Sequence, residues 1–267
     1  MTHGGQVATF PNYLTDYNDT VAPRDDLAVV SGLLNYVRSL PNGYERVVLS
    51  HIRRDSNCLR AMELSEPRGL DKSFREIMAC QYLRLPASHD DFLRSKDSRF
   101  RKRLKRLHCF ADQSNLTVRE LEPENVSPDS LPEAFLSLHL ERQKVKSCFA
   151  ASSAQSFVRE IVPELFKTKR VRACALVEGE RIAAIDLYTM GSNSLCAWNG
   201  GFLSAVAHCS PGKLLIEAGI KLACALRLEE FDFMRGQEAY KTSWSNGSRA
   251  IGQLEFTVAK KTQLSYV

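Results

Sequence analysis

The 267-residue chain is 44% apolar and 25% charged, which is enough apolar material for one large domain or two small ones. Its longest apolar runs are far shorter than the roughly 18 residues of a membrane-spanning helix, so the sequence predicts no membrane span. The first residues lack the basic and apolar regions of a signal peptide. We therefore expect a cytoplasmic protein.

The N-terminal part is predicted to be helical at about 26–39 and to form strands at 45–52 and 80–85. A long basic helix is predicted to follow, because Ser88 and Asp91 resemble a capping box. Its expected buried stripe consists of Leu93, Phe100, Leu104 and Leu107.

This basic helix carries an unusual charge. Between Arg94 and Arg106, eight basic residues stand against Asp97, a net charge of +7, whereas the whole chain carries +5. Such density is typical of a surface that binds a polyanion, although a solvated helix face is an equally good interpretation. The candidate anion-binding or nucleic-acid-binding residues are Arg99, Arg101, Lys102, Arg103 and Arg106.

A segment rich in Pro, Glu, Asn and Ser indicates a domain boundary, giving domains 1–122 and 123–267. After it we predict helices at about 130–146 and 153–166, the second bending or ending at Pro163. A crossover helix that begins at Ser210 is predicted to connect the third and fourth of five strands. The predicted strands are 171–177, 182–190, 195–199, 231–234 and 253–259. This order predicts an α+β fold with a mixed, mostly antiparallel sheet and flanking helices.

Eight cysteines lack a C-x-x-C pair and a histidine ladder at zinc spacing. They predict reduced, mostly buried thiols and no metal site. His208 and Cys209 place a base beside a nucleophile, but adjacent residues often point apart, and a structural interpretation is favoured.

Two segments contain candidate chemistry. Ser210, Gly212 and Lys213 begin a helix, where backbone N–H groups, the helix dipole and a lysine can converge on phosphate; an ordinary helix start is the alternative. The second segment, FDFMRGQEAYK, leaves the end of a strand. In it Arg235 and Lys241 can hold anionic or carbonyl oxygens.

Further groups in the second segment suit proton transfer. Glu238 can accept a proton, and Tyr240 can protonate a leaving group. Asp232 is interpreted as a structural carboxylate.

The run SPGKLLIEAGIKLACALRLEEFDFMRGQEAYKTSW resembles the CelD-like acetyltransferase family of the GNAT superfamily, which is related to the FemAB peptidyltransferases. The hairpin GERIAA, the pair Leu138-His139, the run SRFRKRLKRL, the run YLRLP and the run LTDYND are similar as well. The resemblance covers nearly the whole chain and implies a GNAT acyltransferase domain. It also implies a preceding GNAT-like domain, which is expected to be reduced here because family members have a longer N-terminal part.

The resemblance implies acyl transfer to an amine acceptor, either a small molecule or a peptide. The implied roles are a proton acceptor at Glu238, with His139 as a further candidate base, and leaving-group assistance by Tyr240 with Lys241. The strand from Leu195 to Asn199 is expected to supply a backbone N–H that polarises the carbonyl, which makes Asn199 a candidate residue of the donor site. The working surface is expected between Trp198 and Trp244.

Two donors and a non-catalytic alternative stay open. Acyl-CoA as a co-substrate, with no tightly bound cofactor, fits the superfamily, although the usual Gly-rich pyrophosphate loop is absent from the sequence. Aminoacyl-tRNA fits the FemAB kinship and the basic helix. A non-catalytic anion-binding or RNA-binding module is the third interpretation. Exposed sheet edges predict a possible homodimer.

Overall fold

The computed structural model describes residues 6–8, 14–23, 26–39, 46–64, 72–236 and 238–257. The helices are α1 (Leu27–Ser39), α2 (Asn57–Leu64), α3 (His89–Ser95), α4 (Ser98–Gln113), α5 (Leu131–Gln143), α6 (Ser152–Lys167), α7 (Pro211–Ala225) and α8 (Ala239–Trp244). The strands are β1 (Gln6–Ala8), β2 (Arg46–Arg53), β3 (Lys72–Arg84), β4 (Thr117–Leu121), β5 (Val171–Glu178), β6 (Arg181–Met190), β7 (Ser194–Phe202), β8 (Glu230–Arg235) and β9 (Gly247–Thr257). None of these described helices is long and apolar enough to span a membrane.

The chain divides into two compact units. Unit 1 comprises residues 1–80, 235–237 and 248–267, and unit 2 comprises residues 81–234 and 238–247. Residues 81–122, which the sequence placed before its domain boundary, group with unit 2. The boundary after residue 122 stays a prediction about separately folding domains.

Unit 1 contains the strand order β1-β2-β9-β3. Strands β1 and β2 are parallel, and β2 and β9 are antiparallel. The LTDYND run holds this unit together through polar contacts. The carboxylate of Asp19 accepts hydrogen bonds from the backbone N–H groups of Asn57 (2.7 Å) and Cys58 (2.9 Å) at the start of α2. The amide of Asn18 donates to the carbonyl of Ser50 on β2 at 2.8 Å.

Unit 2 contains the strand order β3-β8-β7-β6-β5-β4, in which β7 and β8 are parallel and the other registered pairs are antiparallel. Helix α7 connects β7 to β8, as a parallel pair requires. Gly179 turns the hairpin between β5 and β6 with φ of 61°. The core packs α3, α4 and α7 on the sheet, with Phe92, Leu104 and Phe231 fully or nearly fully buried. The predicted α+β architecture is therefore confirmed.

The structure corrects several predicted elements. The single basic helix is two helices, because Asp97 caps α4 by accepting a hydrogen bond from the N–H of Phe100 at 2.7 Å. Helix α6 spans nearly the predicted range, but it does not end at Pro163, whose ring is buried within the helix. Strand β9 begins at Gly247, and the predicted positions 258 and 259 lie outside the described residues. Elements β1 and α2 were not predicted.

A buried carboxylate joins three helices of unit 2. Glu217 on α7 lies 2.5 Å from Nε2 of His108 on α4 and 3.3 Å from Nε2 of His89 on α3. Burial alone would raise the pKa of Glu217, but the hydrogen bond with His108 and the close approach of His89 outweigh it and lower this pKa to about 2. The hydrogen bond with Glu217 raises the pKa of His108 against the opposing effect of burial.

Glu217→Gln is expected to lower the free energy of unfolding by about 2 kcal/mol near neutral pH, since charged hydrogen bonds contribute on that order. The lowered pKa of Glu217 means that its contribution is present above the ordinary carboxyl pKa and is lost as pH falls towards 2. The raised pKa of His108 means that its contribution is lost as pH rises above 6.5. Urea unfolding across this range should show both losses in the wild type and neither in the variant.

Glu164→Gln provides the control, because Glu164 pairs with Lys167 on the exposed surface of α6 and such pairs contribute little. A Glu217→Gln protein with the wild-type pH profile would contradict this account of the three helices.

Candidate active site

The site begins where two parallel strands part. The described ladder between β7 and β8 pairs Ser194 with Glu230, Leu195 with Phe231 and Cys196 with Asp232. Beyond this last pair, β7 continues to Phe202 and β8 continues to Arg235. On the other side of β7, Leu187 of β6 pairs with Asn199 and Tyr188 with Ala197.

Trp198 is therefore an extra residue, a β-bulge, two residues beyond the point where β7 and β8 part. Aromatic packing holds the bulge in place. The Trp198 ring stacks on Phe135 of α5, with centroids 5.9 Å apart, and meets the edge of Phe149 at 5.7 Å. The bulge and the parting of the strands together form an open wedge along β7.

Gly200 and Gly201 bring α5 directly onto this wedge. A Cβ on Gly201 would lie 2.3 Å from the backbone N of His139, so only glycine allows the approach. Nδ1 of His139 lies 3.0 Å from the carbonyl of Gly200, and because a carbonyl only accepts, Nδ1 carries the hydrogen. Burial lowers the pKa of His139, against the raising effect of this hydrogen bond, so His139 is neutral at pH 7.

Helix α8 brings together three of the predicted catalytic residues. Lys241 is 4% exposed, and its Nζ lies 2.9 Å from the carboxylate of Glu238, which is exposed. Tyr240 is partly exposed at the surface. Burial of its hydroxyl, together with the charges of Glu238 and Asp186, raises the pKa of Tyr240 to about 12, while Arg142 opposes the shift.

Asp186 and Arg142 are candidate residues that the sequence analysis missed. Asp186 lies on β6, directly opposite Gly200 of β7. Burial raises the pKa of Asp186 to about 7, although the positive charge of Arg142 lowers it. A carboxylate within the apolar strand RIAAIDLYTM was the available signal, but its environment depends on strand register.

The predicted phosphate site lies at the start of α7. Ser210 has a left-handed backbone with φ of 50°, and nothing lies within 4 Å of the place that a Cβ on Gly212 would occupy. Lys213 lines a small open cleft together with Arg103 of α4 and Trp244 of α8. The sequence did not predict that the basic helix and the helix start would share a cleft.

The remaining basic candidates Arg99, Arg101, Lys102 and Arg106 are exposed on α4. The guanidinium of Arg101 donates to the carbonyl of Lys96, and that of Arg106 lies over the Phe110 ring at 5.9 Å. Both contacts are made to neighbouring residues of the same segment. They do not form a binding site around the four basic residues.

Trp244 belongs to a different aromatic cluster from Trp198. Its ring stacks on Phe92, with centroids 6.0 Å apart, and meets Phe100 edge-on at 4.9 Å. It is 1% exposed, and its Nε1 has no hydrogen-bond partner among the described residues. A buried indole N–H without an acceptor is uncommon.

Arg235 lies in unit 1, separately from the α8 residues. Its Nε is 3.1 Å from Asp16 of the LTDYND run, and its Nη1 is 3.2 Å from Nε2 of His51. His51 has φ of 60° and Met234 has φ of 59°, both unusual for these residues. Burial and the charge of Arg235 lower the pKa of His51, while Asp16 raises it.

The structural interpretations of the other polar residues agree with the sequence. Buried Asp232 accepts a hydrogen bond from the N–H of Met234 at 2.7 Å. All eight cysteines are free and five are buried, as predicted. His208 lies 3.1 Å from the hydroxyl of Ser114. Within the described part of the chain, no group of three metal-ligating residues is present.

These features define an α+β fold with a wedge between two parallel strands of a mixed sheet. A family model described as an acetyltransferase (GNAT) domain matches residues 93–242, more than half of the chain. The protein therefore belongs to the GNAT acetyltransferase family, and the predicted family membership is confirmed. No curated protein sequence matches the chain significantly.

Solved structures share the fold at low sequence identity. FemX is 11% identical, with 94% of this chain and 79% of that chain covered and a TM-score of 0.59. L-PGS from Bacillus licheniformis is 11% identical, covering 89% and 74%, with a TM-score of 0.58. The C-terminal domain of a putative lysylphosphatidylglycerol synthetase from Agrobacterium fabrum is 13% identical, covering 90% and 75%, with a TM-score of 0.58. At such identities the likeness shows the fold.

Gly201→Ala is expected to lower the free energy of unfolding by about 2 kcal/mol, because its methyl group would overlap the backbone of α5. Gly212→Ala is the matched control, since the same methyl group meets open space there. Denaturant unfolding of both variants measures the difference. Equal stability of the two variants would contradict the close approach of α5 to β7.

Proposed function

We propose that the protein transfers an acyl group from an acyl-CoA thioester to the amine of a small molecule or peptide. The observation that carries this proposal is the parting of β7 and β8 beside the bulge at Trp198. An extended thioester fits along β7, where the bulged residue and Asn199 face the donor. A backbone N–H at this position polarises the thioester carbonyl. Acyl-CoA acts as a co-substrate, and no tightly bound cofactor is required.

The donor's phosphates are proposed to bind at the start of α7. Three observations support this position: Lys213 and Arg103 share a cleft, Gly212 has open space beside it, and the lining residue Trp244 has a buried, unpartnered Nε1. The positive end of the helix dipole adds a favourable field for an anion. Ser210 contributes through the left-handed turn that begins the helix.

The chemical step is amine attack on the thioester carbonyl. The amine nitrogen forms a bond to the carbonyl carbon, and the carbon–sulfur bond then breaks. Tyr240 keeps its proton at neutral pH, because its pKa is about 12, and it is proposed to donate that proton to the departing thiolate. Lys241, paired with Glu238, is proposed to hold the start of α8 in position. Positioning of the two reactants supplies much of the rate.

Three further residues keep proposed roles. Glu238 is a candidate proton acceptor that is already paired with Lys241. His139 is a second candidate, neutral and held by the carbonyl of Gly200. Arg235, which pairs with Asp16 in unit 1, is a candidate for holding an anionic oxygen.

Tyr240→Phe is expected to lower kcat about 100-fold with little change in KM for the acyl-CoA, because it removes the proton donor and keeps the ring. Acyl transfer from acetyl-CoA to a panel of primary amines measures the effect. Tyr36→Phe, which changes an exposed tyrosine of α1, is the control. Full transfer by Tyr240→Phe would remove the role of Tyr240, and full transfer by a folded Lys241→Ala protein would remove that of Lys241.

Arg103→Ala and Lys213→Ala are each expected to weaken acetyl-CoA binding about tenfold, since each removes a charged hydrogen bond to phosphate. Calorimetric titration measures the dissociation constants. Arg99→Ala is the matched control, because Arg99 is exposed on the same helix and does not line the cleft. Equal weakening by all three variants would indicate general charge attraction and contradict the assigned site.

An aminoacyl-tRNA donor is the second candidate. The fold shared with FemX and the exposed basic residues of α4 favour it. Binding of this donor would weaken steeply with added salt, since it depends on neutralising several phosphates. A non-catalytic anion-binding or RNA-binding module is the third candidate, supported if ligands bind and no turnover occurs.

We also propose a cytoplasmic location and a homodimer. The dimer rests on the expectation that exposed sheet edges pair between copies. Sedimentation showing a monomer would remove it.

A further inference from the structure

A carboxyl group on β6 lies beside the part of β7 that no longer pairs with β8. Asp186 lies opposite Gly200 in the register of β6 and β7, and a Cβ on Gly200 would lie only 1.7 Å from the Asp186 Oδ1 atom. The carboxyl group therefore occupies the space that a side chain at position 200 would fill. Glycine at this position leaves room for the carboxyl beside β7, four residues beyond the last pair of β7 with β8 at Cys196.

The carboxyl of Asp186 also has no structural role that a hydrogen bond would reveal. It makes no hydrogen bond or ion pair with the described residues. Buried Asp232, in contrast, accepts a hydrogen bond from Met234. A largely buried carboxyl group without such a partner destabilises a fold when it ionises, which is typical of a functional group.

The charges around Asp186 come from several elements. Arg142 of α5 attracts it, while Cys174 of β5 and Tyr188 of β6 are titratable groups whose pKa values its charge raises. The charge of Asp186 also raises the pKa of Tyr240 on α8. The proposed leaving-group donor and the Asp186 carboxyl are therefore electrostatically coupled within unit 2.

We propose that Asp186 is the general base of the transfer reaction, accepting the proton of the attacking amine at the open edge of β7 beside Gly200. This inference rests on the acyl transfer proposed above. As the nitrogen–carbon bond forms, one N–H proton passes to the Asp186 carboxylate and then to solvent. As the carbon–sulfur bond breaks, the thiolate takes a proton from Tyr240, which is reprotonated by solvent. The products are an amide and the free thiol.

The other candidate bases are less well placed by their contacts. Glu238 is exposed and paired with Lys241 at 2.9 Å. His139 is 3% exposed and is packed against Phe135 and Phe149. Asp186 has a pKa of about 7, so it is partly ionised at neutral pH and still basic enough to accept a proton.

Asp186→Asn tests the proposal, because it keeps the shape and removes the base. With acetyl-CoA as donor and propylamine as acceptor, we expect kcat to fall about 100-fold or more. After division by the fraction of unprotonated propylamine, the wild-type rate should rise through an apparent pKa near 7, and this rise should be missing from the variant. The titration of the amine itself is common to both proteins and does not affect the comparison.

Unfolding gives a second readout that needs no acceptor. Because the folded-state pKa of Asp186 is raised, the wild type loses stability as pH rises from the ordinary carboxyl pKa to about 7. Asp186→Asn should therefore be the more stable protein at pH 8, with a smaller difference at pH 5. A structural carboxylate predicts the opposite, loss of stability at both pH values.

Each outcome decides between the proposals. An unchanged rate and pH profile in Asp186→Asn, or destabilisation at both pH values, overturns the role of Asp186 while leaving acyl transfer in place. A wild-type protein that binds acetyl-CoA and transfers to no amine overturns the proposed function and, with it, the need for a base. Loss of the neutral pH limb together with higher stability at pH 8 supports the role of Asp186.

Discussion

The site depends on one constraint, which is that the parallel pair β7 and β8 stays together only as far as Cys196 and Asp232. A continuous ladder would use the backbone groups of β7 on both sides and leave no room for a ligand. The extra residue at Trp198 bends β7 at this point, and its ring is fixed between aromatic side chains of the neighbouring segments. The wedge is therefore built into the sheet itself.

Two glycines just beyond the bulge allow close approaches to this part of β7. Gly201 admits the backbone of α5, and Gly200 admits the carboxyl of Asp186. Any other residue at either position would force one of these groups away. This arrangement leaves the Asp186 carboxyl poorly solvated, so its ionisation destabilises the folded protein.

Local sequence patterns predicted most of the elements that surround the site. Capping by Ser88, the helix start at Ser210 and the hairpin at Gly179 are signals carried by a few adjacent residues, and the structure contains all three elements. The break before α4 was missed because Asp97 lies in a run of basic residues, where its capping role is easily read as charge balance.

Long-range contacts were not predictable from the same patterns. Asp186 is linked to Gly200 by strand register, which a single strand does not reveal. Arg235 lies close in sequence to Glu238 and Lys241, yet it pairs with Asp16, which is more than two hundred residues away in the chain. The shared cleft of Arg103 and Lys213 likewise depends on how α4 packs beside α7.

The central claim is that the wedge and the start of α7 together bind an acyl-CoA. The most direct measurement is a titration of the wild-type protein with acetyl-CoA, CoA and a mixed aminoacyl-tRNA pool, at low and at moderate salt. The account predicts saturable binding of acetyl-CoA that changes little with salt and is tighter than that of the tRNA pool. A preference for charged over uncharged tRNA, or binding of none of these ligands, would contradict it.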